Sequence, residues 1–156
     1  MNTAIARGLR HLRVAGAIRQ GDALGCKPSD IDRIESDLAV KLPSVYKEFL
    51  STLGRGAGTF LSGSDFNYAD LPRINSEARD LAHDAGIDLP TSAFVFLIHQ
   101  GYQFLWFDTS EGADPEVRRF REGEPGERLG RPFSAWFLNE ADYHIRVMRS
   151  LGRSGD

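Results

Sequence analysis

The sequence predicts an α+β fold, an antiparallel β-sheet flanked by helices, and three observations carry that prediction. Residues 94–99 and 102–107, FVFLIH and YQFLWF, are aromatic or β-branched at most positions, with Gln100-Gly101 between them. That pattern reads as an antiparallel hairpin, and strands apolar on nearly every position belong at the centre of a sheet. Residues 31–53 hold two apolar stripes, Ile31, Ile34 and Leu38, then Val45, Tyr46, Phe49, Leu50 and Leu53, on either side of Leu42-Pro43. Steps of three and four residues place each stripe on one helical face. Finally, Phe133, Trp136, Phe137, Ala141, Ile145 and Met148 mark a closing helix over 133–149.

In chain order, Ile5, Leu9, Leu12 and Ala15 predict an amphipathic first helix with arginines on its other faces. Residues 1–28 read as an N-terminal helical extension, ending in a connector over 21–28. The main domain spans 29–150, and 151–156 reads as a frayed tail. Ser29 is placed to cap the helix at 31, with Asp32 completing a capping box. Pro43 suits the first turn of the next helix, and Gly54 suits a stop with positive φ. Residues 59–61, Thr-Phe-Leu, read as a short strand and 62–65 as a turn. Leu71, Ile74, Ala78, Leu81 and Ala85 define another helix ended by Gly86, with Asp70, Glu77, Asp80 and Asp84 on its exposed side. After the hairpin come an acidic loop (108–115), a third strand (117–120), a loop with three glycines and a proline (122–130), and the last helix.

A chain of 156 residues is long enough for one domain with a sizeable core and short for two. No run of about 18 apolar residues is present, so no membrane span is expected. Arg7, Arg10, Arg13 and Arg19 interrupt the apolar stretch that a secretory signal needs. Cys26 is the one cysteine, which excludes an internal disulfide and suits a reduced thiol in the cytoplasm.

Charge is unevenly divided. Residues 1–28 carry five Lys/Arg against one Asp, residues 29–117 six against fifteen acidic residues (net −9), and residues 118–156 eight against six. An acidic middle is the opposite of a nucleic-acid binder's balance and suits the steering of a basic partner.

Catalytic constellations are weak. His83-Asp84 lacks further histidines at ligand spacing, since only His11, His99 and His144 remain. Glu140 and His144 lie one helical turn apart and read as a surface pair. Asp108, Glu111, Asp114 and Glu116 share one stretch and lack the unlike environments that acid–base chemistry needs. Ser62-Gly63-Ser64 lacks the context of a nucleophile elbow, and no Gly-Lys-Ser/Thr follows Gly54 to make a phosphate loop. The expectation is a binding protein, not an enzyme, with no cofactor and no metal.

The order Ile31, Ile34-Glu35, Leu42-Pro43, Tyr46-Lys47, Phe49-Leu50 and a glycine cluster resembles the opening signature of the SUKH superfamily. Gly54-Arg55-Gly56 stands where that family usually has Asn-Gly-Gly. Leu89-Pro90, the apolar hairpin, the aspartate-bearing loop, the strand and the aromatic helix follow the family's order over roughly 29–150. The resemblance implies a SUKH-like fold and a binding role. Bacterial members are largely immunity proteins that block the toxin domain of a polymorphic or contact-dependent toxin, often a nuclease and often basic. Fungal relatives are regulatory adaptors, which leaves a scaffold binding a non-toxin cellular protein as the alternative. The implied partner is a cognate toxin domain, with no direct nucleic acid and no membrane. Contact is expected at Asp65, Tyr68 and Asp70 and at Asp108, Glu111 and Asp114. These loops adjoin predicted strands, and Tyr68 is the expected aromatic anchor.

Overall fold

The computed structural model describes residues 2–153. In order they form α1 (Thr3–Val14), β1 (Ala23–Leu24), α2 (Pro28–Asp37), α3 (Ser44–Leu53), β2 (Gly56–Ala57), β3 (Ser64–Asp65), α4 (Leu71–Asp84), β4 (Ala93–His99), β5 (Gln103–Asp108), β6 (Glu116–Arg121), β7 (Glu127–Pro132) and α5 (Phe133–Arg153). The fold is α+β. One sheet has five strands in the order β3-β4-β5-β6-β7, antiparallel throughout, and β1 and β2 make a separate pair.

The hairpin lies where its apolar run predicts. Phe94 faces Phe107 and Ile98 faces Phe104 across β4 and β5. Gln100 and Gly101 have φ of 51° and 76°, the sign that both central positions of a type I′ turn require. The register shifts between Val95 and Leu97, and the Phe96 ring there meets Phe133 at 5.2 Å and Trp136 at 5.0 Å. Ala93 through Ile98 are all buried, so both faces of β4 are covered. The aromatic residues of α3 and α5 cover one face, and α4 runs along the β4 edge that β3 leaves free. There Asn75 bonds to both the N–H and the carbonyl of Val95 at 2.9 Å, and Arg79 donates to the Ala93 carbonyl at 3.0 Å.

Tyr46 stands in the middle of this core, with the rings of Phe49, Phe94, Phe107 and Phe133 at 5.8, 5.3, 5.3 and 5.3 Å. Edge-to-face and stacked pairs of this kind add to the area that they bury. Helix α1 joins the same cluster through Ile5, Leu9 and Leu12. It approaches α5 closely at Gly8, where a Cβ would lie 2.6 Å from the Phe137 ring.

Several local expectations are corrected. Residues 59–61 turn instead of extending: Leu61 has a φ of 58°, Phe60 plugs the core, and Ser64-Asp65 is the segment that pairs with β4. The 122–130 loop contains the start of β7, an edge strand exposed at nearly every position, so no burial pattern marks it. The connector 21–28 contributes β1. Helix α2 begins at Pro28, and Lys27, not Ser29, precedes it; the Asp30 carboxylate accepts the Lys27 N–H at 2.9 Å. Pro43 sits at the N-cap of α3. Gly54 has a φ of −61°, and its need for glycine is steric, because a Cβ would lie 2.6 Å from both Cys26 Sγ and the Leu50 oxygen. Helix α5 runs through Arg153; the remainder of the expected frayed tail, 154–156, lies outside the described residues. Among the described residues, no helix is long and apolar enough to cross a membrane.

Candidate partner-binding surface

The helix-pair signature is buried. Ile31, Ile34, Glu35, Leu42, Tyr46, Phe49 and Leu50 all lie in the interior. Glu35, only 8% exposed, explains its place in the pattern: its carboxylate accepts the Leu42 N–H at 2.7 Å and faces Lys47 Nζ at 3.5 Å. The chain reverses after α2 through Ala39 at a φ of 52°, and Pro43 offers no N–H to close the gap. Glu35 therefore bridges α2 to the start of α3, and these motif residues hold the fold together.

The expected contact residues fall in two groups that the fold keeps apart. Asp65 lies opposite Ile98 on β4, whereas Asp108 lies opposite Ala93. Five residues of strand separate those positions, roughly 16 Å at about 3.3 Å per residue.

In the first group, Arg73 Nη2 reaches Asp65 at 2.8 Å and Asp70 at 3.4 Å, and its Nη1 reaches Glu77 at 3.1 Å. Those hydrogen bonds hold the Arg73 guanidinium well above its ordinary pKa. Tyr68 is half-buried. Its hydroxyl donates to the Asp30 carbonyl at 2.9 Å, and the Arg55 guanidinium covers its ring at 4.5 Å. Arg55 also pairs with Asp30 at 3.0 Å, so the residue that departs from the family's glycine pattern ties α2 to the 68–70 turn. The Arg55 hydrogen bond, followed by that of the Lys27 N–H, lowers the Asp30 pKa.

In the second group, Asp108 caps a short 3₁₀ turn (Thr109–Glu111) by accepting the Ser110 N–H at 2.9 Å. Burial pushes its carboxyl up, and the Ser110 side-chain and backbone bonds help to turn the net shift downward. Glu111 pairs with Arg118, whose guanidinium lies 5.2 Å over the Trp106 ring. Asp114 accepts the Ser134 N–H at 3.0 Å and its hydroxyl, satisfying a donor at the start of α5.

The weaker constellations are also placed. His83 Nδ1 meets Asp88, not Asp84, at 3.0 Å on the surface, and that bond raises its pKa. His144 Nε2 meets Thr59 Oγ1 at 3.0 Å in place of Glu140. Burial lowers the His144 pKa and raises that of Glu140. Burial also pushes the Cys26 thiol up to about 11, which keeps it protonated and unreactive. Among the described residues no group of side chains could hold a metal ion.

Sequence reasoning missed the arginine partners. Glu116 pairs with Arg128 at 2.6 Å and Glu127 with Arg119, cross-strand contacts that only the register of β6 and β7 creates. It also missed the contrast with the basic N-terminal segment. Among the described residues, Arg10, Arg13, Arg19, Arg146 and Arg149 have no side-chain hydrogen bond or ion pair. The signal was present in the arginine-rich first helix, but only the packing of α1 on α5 brings Arg10 to Arg146 and Arg149, while Arg13 and Arg19 line a separate hollow.

No curated protein matches the chain. The family model described as SMI1 / KNR4 family (SUKH-1) matches residues 25–139, from just before α2 into α5 and thus most of the chain. By that match and the fold that accompanies it, the chain belongs to the SMI1/KNR4 (SUKH-1) family.

Proposed function

We propose that this chain is a bacterial immunity protein that acts in the cytoplasm by binding a cognate toxin domain and covering it. Family membership over residues 25–139 is the observation that carries the reading, and the net charge of −9 over 29–117 supports a basic partner. The mechanism is stoichiometric occlusion and requires no catalysis. In it, Asp65 and Glu111 exchange Arg73 and Arg118 for cations of the toxin, Tyr68 and Asp70 flank the first contact, and Asp108 and Asp114 hold the second loop in shape.

The test is co-expression with the C-terminal domain of a large secreted protein encoded beside this chain. Restored growth and a stoichiometric complex are expected; toxicity unrelieved by the chain, with no complex, would refute the reading. A double charge reversal, Asp65→Lys with Glu111→Lys, should slow association and flatten its salt dependence. Unchanged kinetics would remove both loops from the interface. The breadth of the family supports a second reading, a regulatory scaffold for a non-toxin cellular protein. A complex with such a protein, without protection from the toxin, distinguishes it.

A further inference from the structure

The groove between α1 and α5 has the chemistry of a second, oppositely charged docking site. It encloses about 440 Å³ and is lined by Arg10, Arg146 and Arg149 around Val14, Ala15 and Ile145. Volumes of roughly 300–1,000 Å³ are typical of ligand sites. The three guanidiniums have no side-chain hydrogen bond or ion pair among the described residues. The acidic residue in the groove, Asp142, is engaged by His11 Nδ1 at 2.8 Å. Val14 is 82% exposed, an apolar side chain left uncovered beside free cations.

We infer that this groove binds an acidic segment of a partner protein, its carboxylates meeting Arg10, Arg146 and Arg149 and an apolar side chain resting on Val14 and Ile145. Charge complementarity specifies the occupant: planar guanidiniums match carboxylates two bonds at a time, and the aliphatic floor accepts an apolar residue. A nucleic acid fits less well, because the groove holds no Phe, Tyr or Trp to stack a base and its one imidazole, His11, is tied to Asp142, and the concave shape excludes a flat bilayer surface. None of the expected contact residues of the acidic loops lines this groove. It does not depend on the immunity reading, since the acidic segment can belong to a toxin or to another protein.

The probe is a fluorescent peptide of alternating glutamate and leucine, with a lysine–leucine peptide as control, followed by anisotropy at low and high salt. Binding of the acidic peptide is expected, weakened by salt and reduced about tenfold or more by Arg10→Glu with Arg146→Glu. Arg33→Glu with Lys41→Glu changes net charge equally on exposed positions of the α2 region and should leave binding unchanged, and unaltered melting curves establish that both variants fold. Equal loss in both variants, no binding by the native protein, self-association that accounts for the signal, or tighter binding to duplex DNA or phosphatidylserine vesicles would each overturn the inference.

Discussion

The two charged regions of this protein use their charge differently. In the acidic middle, several carboxylates meet arginines of the same chain: Asp65, Asp70 and Glu77 share Arg73, Glu111 takes Arg118, and Glu116 takes Arg128. On the α1–α5 face, Arg10, Arg146 and Arg149 have no such partner. Net charge per segment, the quantity a sequence offers, therefore differs from charge available to another molecule. A partner at Asp65, Asp70 or Glu111 must displace an internal arginine, and a partner at the basic groove displaces only water and salt. Beneath both regions lies the signature segment, where charge is a structural device.

The largest effects are expected in that shared core. Phe49→Ala or Trp136→Ala removes a buried ring and should cost about 3–5 kcal/mol, read as a sharp drop in melting temperature, with binding lost only because the fold is lost. An unchanged melting temperature with lost binding would move that residue into the interface.

Next comes the buried carboxylate. Glu35→Ala strands the Leu42 N–H and should cost about 1–3 kcal/mol in urea unfolding. Lys47→Ala, at a side chain 40% exposed, should cost less than about 1 kcal/mol. Equal costs would mean that the ion pair, not the hydrogen bond, carries the bridge.

Asp114→Ala should cost about 1 kcal/mol as a lost helix cap, whereas Asp65→Ala, at an exposed ion pair, should change stability by about half of that or less. The reverse order would make the 65–70 cluster a structural element. Tyr46→Phe should be neutral or stabilising by up to about 1 kcal/mol, because the Tyr46 hydroxyl is buried without a hydrogen bond among the described residues. A clear loss of stability would reveal a partner for that hydroxyl.

The smallest effects concern two histidines whose titration is expected to shift in opposite directions from 6.5. His83, paired with Asp88, titrates above it. The stability from that pair is fully present below 6.5 and disappears as pH rises through the folded value. His144, desolvated, titrates below it. The unfolded chain then binds more protons between the folded value and 6.5, so stability from His144 increases with pH across that window. Carbon-bound proton shifts of the two imidazoles against pH read both directions, and a common midpoint would contradict the placement of either ring.

Much of the fold was legible because its central elements bury apolar side chains in periodic patterns. The 94–107 hairpin, the two stripes around Leu42-Pro43 and the Phe133-to-Ile145 face each announce themselves in this way. Strand β7 does not, because Glu127 through Pro132 pair through the backbone while every side chain but that of Leu129 is exposed. The two-residue strands β1, β2 and β3 are likewise set by what they meet. Phe60 misled because an apolar residue on a turn looks like one on a strand. At the charged surfaces, residue types were legible and pairings were not. Asp114 meets Ser134, Glu116 meets Arg128 and Arg10 joins Arg146 only through tertiary register.

The distinction between engaged and free arginines is tested most directly by solvent exchange of their Nε–H protons, followed by NMR. Arg55, Arg121 and Arg128 donate through Nε to Asp30, Gln103 and Glu116 at 3.3, 3.1 and 3.1 Å. Slow exchange and dispersed shifts at these three, with fast exchange and clustered shifts at Arg10, Arg146 and Arg149, is the predicted result. Protection of the α1–α5 arginines equal to that of Arg128 would show that their charge is already engaged within the chain and would contradict it.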